Sequence, residues 1–358
     1  MSYLSPAQLQ AALAQRDLAD PTAGEHAVQH VVDKIESALH KRWGIPVRRD
    51  PGPRIVSVAD NYDRLRYGAA DVTRDRRYSR YVDETSMLRS HTTARIPALL
   101  DRMEEQDVLL SVPGITYRRD VIDRQHVGEP HQLDLWRIST NGKLTNDDLT
   151  AMIRTVVDAV LPGRKVETPT SPHPYTLDGR EIYVDGVEIG ECGLAHPEVL
   201  PNGATGLAMG LGLDRITMLV KGIDDIRLLR AADPRVADQM RDLSPYHPVS
   251  AMPATNRDLS LAVAGDRDAE QLGDRARAAL GDDAAAIEEI EVRSETAYAD
   301  LPDSARRRMG LRPGQKNVLL RLVLRDLDRT LDATEANEIR DRVYAALHEG
   351  GEHEWAAR

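Results

Sequence analysis

The sequence predicts an α+β protein built in two parts. Three observations carry that reading. The last hundred residues run strand, helix, strand, strand, helix, strand, the order of the ferredoxin-like split motif. The larger N-terminal part mixes helical spacing with strands of antiparallel character. Within it, Asp185-Gly186 joins two strand-like runs, a favoured hairpin dipeptide.

The elements follow in order. Ser5-Pro6 opens a short amphipathic helix with Leu9, Leu13 and Leu18 as its apolar side. Residues 23–43 place Val28, Val31, Val32, Ile35 and Leu39 on one helical face, and Gly44 stops the helix. "PRIVSVADNYDRL" predicts a strand and turn. "RIPALLDRMEEQDVLLSVPGITYRRD" predicts a helix, then a strand entered through Pro113-Gly114. "HQLDLWRIST" alternates as a strand does. Thr145, ahead of Asp147 and Asp148, caps a helix that Pro162-Gly163 ends. The hairpin "EIYVDGVEIGECGL" is next, and "ATGLAMGLGLDRITMLVKGI" runs from a glycine-rich strand into a helix. Prolines and mixed polarity around 231–256 predict a linker.

Beyond it come a strand "RDLSLAV", a helix "AEQLGDRARAAL", strands "AIEEIEVRSETAY" and "NVLLRLVLRD", a helix "TEANEIRDRVYAAL" and a short strand near "HEWAA". The predicted division is an N-terminal helical segment (1–22), a main domain (23–235), a linker (236–256) and a small domain (257–358).

Composition narrows the function. A net charge of −11 argues against coating nucleic acid by bulk electrostatics, though not against a local basic patch. One cysteine, Cys192, rules out an internal disulfide framework and a cysteine-rich zinc site, and reads as a small apolar wall residue. No apolar run is long enough to span a bilayer, and the first twenty residues resemble neither a signal nor a transit peptide. A cytoplasmic protein with no membrane partner is expected.

Three segments carry chemistry: "MLRSHTTA" (87–94), "YRRDVIDRQHVGEPHQLD" (117–134) and "GLAMGLGLDRITMLVKGIDDIRLL" (206–229). Each alone has a plain reading. Gly206, Gly210 and Gly212 suit close packing, and no Rossmann unit follows them in register. His91, His126 and His131 lack metal-ligand spacing. The charges say more. Arg118 and Asp120 are expected to alternate on one strand face, and Arg215 closes the glycine-rich strand. Two separated arginines around a polyanion suit in-line attack at phosphorus, which is mainly an electrostatic problem.

In order and combination these segments resemble the motifs of a class II aminoacyl-tRNA synthetase, and more narrowly of the phenylalanyl-tRNA synthetase family. "YRRDVIDRQH…HQLD" resembles motif 2, "GLAMGLGLDR" motif 3, and "VEIGECGLAHPEVL" the stretch before it. "PRIVSVADNYDRL" resembles the motif-1 strand and its Asn-Phe-Asp, with Tyr62 in the aromatic place. The C-terminal strands and helices resemble the family's ferredoxin-like anticodon-binding domain. The resemblance covers about 20–358 and is to the single-chain form. The fold it implies is a class II antiparallel-sheet catalytic domain plus that small domain. The activity it implies is ATP-dependent formation of an aminoacyl-adenylate, phenylalanine first, and acyl transfer to tRNA, the phenylalanine tRNA first. Mg²⁺ would accompany the ATP, and a single chain is compatible with a monomer.

The same resemblance implies roles. Arg118 would clamp the α-phosphate and the substrate carboxylate, and Arg215 the γ-phosphate end. Asp120, Gln125, His126 and Val127 would lie near the nucleotide, with Glu188 the acid for Mg²⁺ or ATP. Gln132 and Asp134, with Leu133 between them, would receive the ammonium group; the family has Glu where Asp134 stands. His91, Thr92, Thr93 and Ala94 match a His-Thr-Ser-Ala element beside the amino acid. Ala208, Met209 and Gly210 would line the pocket. Rival readings are a paralogue that activates a modified aromatic amino acid, and a non-catalytic tRNA-binding regulator.

Two further features stand out. Arg306, Arg307, Arg308, Arg312 and Lys316 form a basic loop between the second and third strands of the small domain, suited to a tRNA backbone. The chain has no phenylalanine, and where the family places a Phe-Pro-Phe-Thr turn it has His173, Pro174, Tyr175 and Thr176. His173 and Tyr175 would then face the ring of the substrate, either as simple replacements for phenylalanine or as readers of a polar group.

Overall fold

The computed structural model describes residues 3–75, 79–104, 106–119, 121, 123–249, 252–327 and 329–353. Contacts group the chain into two compact units. The first comprises Met1–Arg118, Glu129–Ile223 and Asp238–Tyr246, and the second Arg119–Gly128, Asp224–Ala237 and His247–Arg358.

The first unit begins with α1 (Pro6–Ala14), held by a Ser5/Gln8 capping box, and α2 (Ala27–Trp43), which ends on left-handed Gly44. Short strands β1 (Val47–Arg49) and β2 (Ile55–Ser57), helix α3 (Val58–Asn61), strand β3 (Ser86–Leu88) and helix α4 (Ile96–Leu100) follow. Then come the long strands β4 (Asp107–Ile115) and β5 (His131–Ser139) and helix α5 (Asn146–Val160). Thr145 and Asp148 cap α5, as the sequence predicts. Six of its side chains, from Leu149 to Val160, are buried, each burial favourable by about 1.5–3 kcal/mol for a large apolar group. Strands β6 (Val166–Glu167), β7 (Thr176–Val184), β8 (Val187–Ala195) and β9 (Thr205–Gly212) and helix α6 (Leu213–Lys221) complete the unit. Asp185 and Gly186 both take positive φ, 51° and 82°, making the predicted hairpin turn.

Among the described residues these strands form a seven-stranded sheet in the order β1-β4-β5-β9-β8-β7-β6. Only β1 pairs parallel. β2 and β3 pair separately. The sheet has two different faces. On one, Ser111 donates to Glu36 of α2 (2.5 Å), and α5 and α6 pack beside α2. On the other, Val108, Leu110, Val112, Trp136, Ile138 and Ala208 form a core with Leu99 and Leu100 of α4 and Tyr175.

The second unit holds α7 (Pro234–Ala237), β10 (Thr255–Ala264), α8 (Ala269–Leu280), β11 (Ile287–Ala297), α9 (Asp303–Met309), β12 (Gln315–Leu324) and α10 (Ala333–Leu347). Its strands are ordered β10-β12-β11, both pairings antiparallel, so β12 lies between the strands of the split motif. Buried Glu288 is ion-paired to Arg124, Arg227 and Arg325. That pairing helps tie segments 119–128 and 224–237 into this unit, because a buried carboxylate needs cationic partners, and Arg119 adds an ion pair to Asp274.

Several expectations change. Leu13 is exposed and Leu18 lies beyond α1, whose one buried residue is Ala12. β4 already contains Pro113-Gly114 near its end rather than being entered through them, and it stops before Tyr117. Arg215 is in the first turn of α6, not on the strand. The basic cluster is not a plain loop: Arg306, Arg307 and Arg308 sit on α9, which left-handed Gly310 terminates. In the linker, Asp238–Tyr246 belongs to the first unit, where buried Lys221 donates to the carbonyls of Asp242 and Ser244. The strand expected near "HEWAA" falls, beyond His353, outside the described residues.

Gly190 sets how closely β8 and β9 approach, because a Cβ there would overlap the carbonyl oxygen of Gly210. Gly190→Ala is expected to cost about 3 kcal/mol, or roughly 6–12 °C in Tm, measured by thermal denaturation. A change within 1–2 °C would mean that the strands yield.

Candidate functional site

The central strands place three positions in one row. Asp134 of β5 pairs with Gly210 of β9, and Gly210 pairs with Glu191 of β8. Directly paired residues share a face, so all three look toward the α4 side with Trp136 and Ala208. Their chain neighbours turn the other way. Leu133 and Met209 are fully buried on the helical face, which corrects their assignment to the pocket.

Asp134 is the most buried polar group of the row, 2% exposed. Its Oδ2 accepts from the hydroxyls of Thr92 and Thr93, each at 2.9 Å. Trp136 Nε1 donates to Oδ1 at 3.2 Å. Burial pushes the Asp134 carboxyl up to about 6, against these three donors. Gln132 is one alternation along, and its Oε1 accepts from the backbone of Thr92 at 3.3 Å. A 3-10 turn at 92–95 carries both threonines. Ala94, on the same turn, packs with Val56, Tyr62 and Met87 and is a core residue.

Aromatic side chains surround the opposite end. Tyr175 stacks on Trp136 at 5.9 Å and lies 6.3 Å from Tyr67, which stacks on His91 at 5.7 Å. His173 is 6.1 Å from Tyr175. Both residues of this turn reach Glu191: Tyr175 donates to Oε1 at 2.5 Å and His173 Nε2 pairs with Oε2 at 2.8 Å. Burial works against ionising Glu191. The hydrogen bonds from His173 and Tyr175 and the charge of Arg118 outweigh it and hold the carboxyl down to about 2. Burial also works against protonating His173, and Glu191 outweighs that too and raises it. For His91, burial and Arg118 push the imidazole down to about 3, so it is neutral at pH 7.

Arg118 is aimed by its neighbours. Its Nε donates to the carbonyl of Ser90 at 2.7 Å, and Asn61 holds Ser90 from both sides, through Nδ2 to Oγ (2.9 Å) and Oδ1 from N (3.1 Å). The Asn of "DNYD" thus positions Arg118 without touching it. Arg215 donates to the carbonyl and Oε2 of Glu188, both at 3.0 Å. His131 is a structural clamp: Nε2 accepts from Leu18 and Nδ1 donates to Asp214.

Some expected residues belong to the second unit or lie outside the described residues. Gln125, His126 and Val127 are in the second unit, where Asp123 accepts from Gln125 N and bonds His126 Nδ1. Asp120 lies outside the described residues. On α9, Arg306 is committed to Asp303 and stacks over Tyr298, and Lys316 pairs with Glu295. Arg306, Arg307 and Arg312 line a pocket of about 490 Å³ with Tyr298.

Sequence reasoning missed Tyr67, Trp136 and Glu191. Trp136 was within reach, since it follows Asp134 by one strand alternation. Glu191 is masked by a bulge: Ile182 pairs with Gly190 but Tyr183 with Glu188, so parity counted from Glu188 misplaces it. Nothing local marks Tyr67.

Two carboxylates on one face of an antiparallel sheet, ringed by aromatic side chains and with the charge of Arg118 acting on one of them, form a polar cleft suited to a small charged ligand. Residues 14–240 match the family of tRNA synthetases class II core domain (F), and the chain belongs to that family. Its relatives are narrower still. It is 32% identical to the phenylalanine--tRNA ligase alpha subunit of Dictyoglomus thermophilum over 60% of this chain and 68% of that one. The Nostoc punctiforme alpha subunit is 29% identical over 61% and 68%. A probable mitochondrial phenylalanine--tRNA ligase of Drosophila melanogaster is 25% identical over 89% and 81%. A crystal structure of pyrrolysyl-tRNA synthetase from Desulfitobacterium hafniense aligns with a TM-score of 0.48 at 18% identity, over 58% of this chain and 74% of that one.

The raised Asp134 has a stability consequence. Its folded pKa of about 6 exceeds the unfolded carboxyl value, so the native state holds the proton more tightly. Its contribution is fully favourable below about pH 4 and is lost as pH rises to about 6. Asp134→Asn should remove that part of the slope in urea midpoints measured from pH 4 to 7. An identical slope in both proteins would show that Asp134 titrates normally.

Proposed function

We propose that this chain activates an aromatic amino acid, phenylalanine in the first instance, with ATP and transfers it to tRNA. The observation that carries the proposal is the Asp134 carboxylate, held by Thr92, Thr93 and Trp136 at one end of an aromatic cluster. An ammonium group reaching Asp134 and Gln132 would direct its side chain toward Tyr175, His173 and His91. Thr93 and Thr92 orient the carboxylate, and Ala208 and Gly210 leave room beside it. Family membership and the names of the relatives support the same reading.

In the first step a substrate carboxylate oxygen attacks the α-phosphorus, the bond to the β-phosphate oxygen breaks, and pyrophosphate leaves. Arg118 would neutralise charge on the α-phosphate and the carboxylate, and Arg215 on the γ-phosphate, the task preorganised guanidinium groups perform well. In the second step a hydroxyl of the terminal ribose attacks the acyl carbon, its proton is lost, and AMP leaves. Mg²⁺ suits the donor set: it takes one or two carboxylates with phosphates and water. Glu188, 42% exposed, supplies one carboxylate, and no group of three or more His, Cys, Asp or Glu could hold a metal among the described residues. When bound with ATP, the ion would neutralise phosphate charge.

Gln125, His126 and Val127 are assigned to the nucleotide, and residues 257–358, after a linker at 236–256, to the anticodon end of tRNA. Arg307, Arg308 and Arg312 are the contacts for the tRNA backbone, with Arg306 and Lys316 supporting. Monomeric action in the cytoplasm completes the proposal; among the described residues no helix is long and apolar enough to cross a membrane.

Arg118→Ala and Arg215→Ala should each lower ATP–pyrophosphate exchange by about 10²–10³-fold, with unchanged Tm. Retained exchange would remove both from the chemistry. Reversing charge at Arg307 and Arg308 should weaken tRNA charging while exchange persists; equal loss of both would give the patch another role.

A further inference from the structure

Two carboxylates share the row across Gly210, and an α-ammonium group explains only Asp134. Glu191 stands at the aromatic end. Both of its partners, His173 and Tyr175, come from the turn that leads into β7, and Tyr175 in turn stacks on Trp136. An ionised group among rings is costly unless it is paired, and two donors occupy only part of its capacity. A carboxylate has about four acceptor sites. Part of the side chain stays open to solvent: Glu191 keeps 38% exposure, while Tyr175 beside it keeps 3%.

Gly210 preserves that access. A Cβ at this position would meet Glu191 Cγ at 3.7 Å and Asp134 Oδ2 at 3.8 Å, ordinary contacts, so no backbone demand requires glycine. Having no side chain there leaves room for about one carbon between the two carboxylate side chains. A bare phenyl group placed beside Glu191 would strip water from it and return no hydrogen bond. A ring bearing an O–H or N–H would replace the water it displaces. Sites built to hydrogen-bond a substrate group discriminate strongly against the analogue that lacks it.

We propose that Glu191, held by His173 and Tyr175, reads a hydrogen-bond donor on the substrate ring, so that the pocket prefers a ring-hydroxylated or ring-aminated phenylalanine to phenylalanine itself. This rests on the amino-acid site proposed above and, within the aromatic class, puts a ring-substituted amino acid ahead of phenylalanine. Glu191 is the specificity residue, and His173 and Tyr175 position it.

The test is ATP–pyrophosphate exchange by the full chain with phenylalanine, para-tyrosine, meta-tyrosine, 4-aminophenylalanine and O-methyltyrosine. At least one donor-bearing amino acid should exceed phenylalanine in kcat/KM by about 10-fold or more, with O-methyltyrosine gaining nothing. Glu191→Ala should collapse that preference to within about threefold, while Glu191→Gln, which keeps an acceptor oxygen, should retain part of it. The KM for ATP should stay constant in both variants. Phenylalanine equal to or better than every donor-bearing amino acid would overturn the inference and leave amino-acid activation standing. So would an equal loss for all substrates in Glu191→Ala, the mark of a merely structural role. No exchange with any amino acid would overturn the activation reading as well.

Discussion

The register of β5, β9 and β8 is the constraint on which the site depends. It sets Asp134, Gly210 and Glu191 side by side, and a one-residue slip would exchange them for Leu133, Met209 and Cys192. Several features make that register costly to change. Gly190 admits the Gly210 carbonyl where no other residue could. Ser111 is tied to Glu36 on the opposite face, and Trp136 is sealed in the core two residues from Asp134. Packing on both faces therefore fixes which side chains meet in the cleft.

Within that frame the electrostatics of the row are unequal by design of environment. Asp134 is met by hydroxyl and indole donors, which are neutral, and burial dominates. Glu191 has a histidine, a tyrosine and the charge of Arg118, which together overcome burial. Two carboxylates on one sheet face thus differ in proton affinity because one is matched by positive charge and the other by neutral donors. An arriving ammonium group would supply the missing charge at Asp134. Glu191 is already met by His173, Tyr175 and the charge of Arg118, so a neutral donor would suit it better than a second cation.

The second unit shows the same logic in a structural role. Glu288 is nearly sealed from water and is met by three arginines, two of them from segments far away in sequence. These ion pairs draw 119–128 and 224–237 onto the small sheet. A domain boundary taken from composition at 236 misses that interleaving, because the partners, a buried acid more than fifty residues downstream among them, are distant in sequence.

The sequence by itself determined the elements and the identity of the chemistry-bearing segments. The cap at Thr145, left-handed Gly44 and the Asp185-Gly186 turn are local, so their effects are legible from neighbours alone. Motif order was legible too, and the class II synthetase family it pointed to is the one the chain belongs to. What only the tertiary structure decided is which side chains face one another. Met209 and Leu133 fell to the wrong face until pairing set the parity, Glu191 stayed hidden behind a bulge, and Tyr67 reached the cluster from a segment with no periodic signal. The physical reason is that alternation within a strand is local, whereas the register between strands, and the charge each buried group meets there, depends on residues brought together by packing.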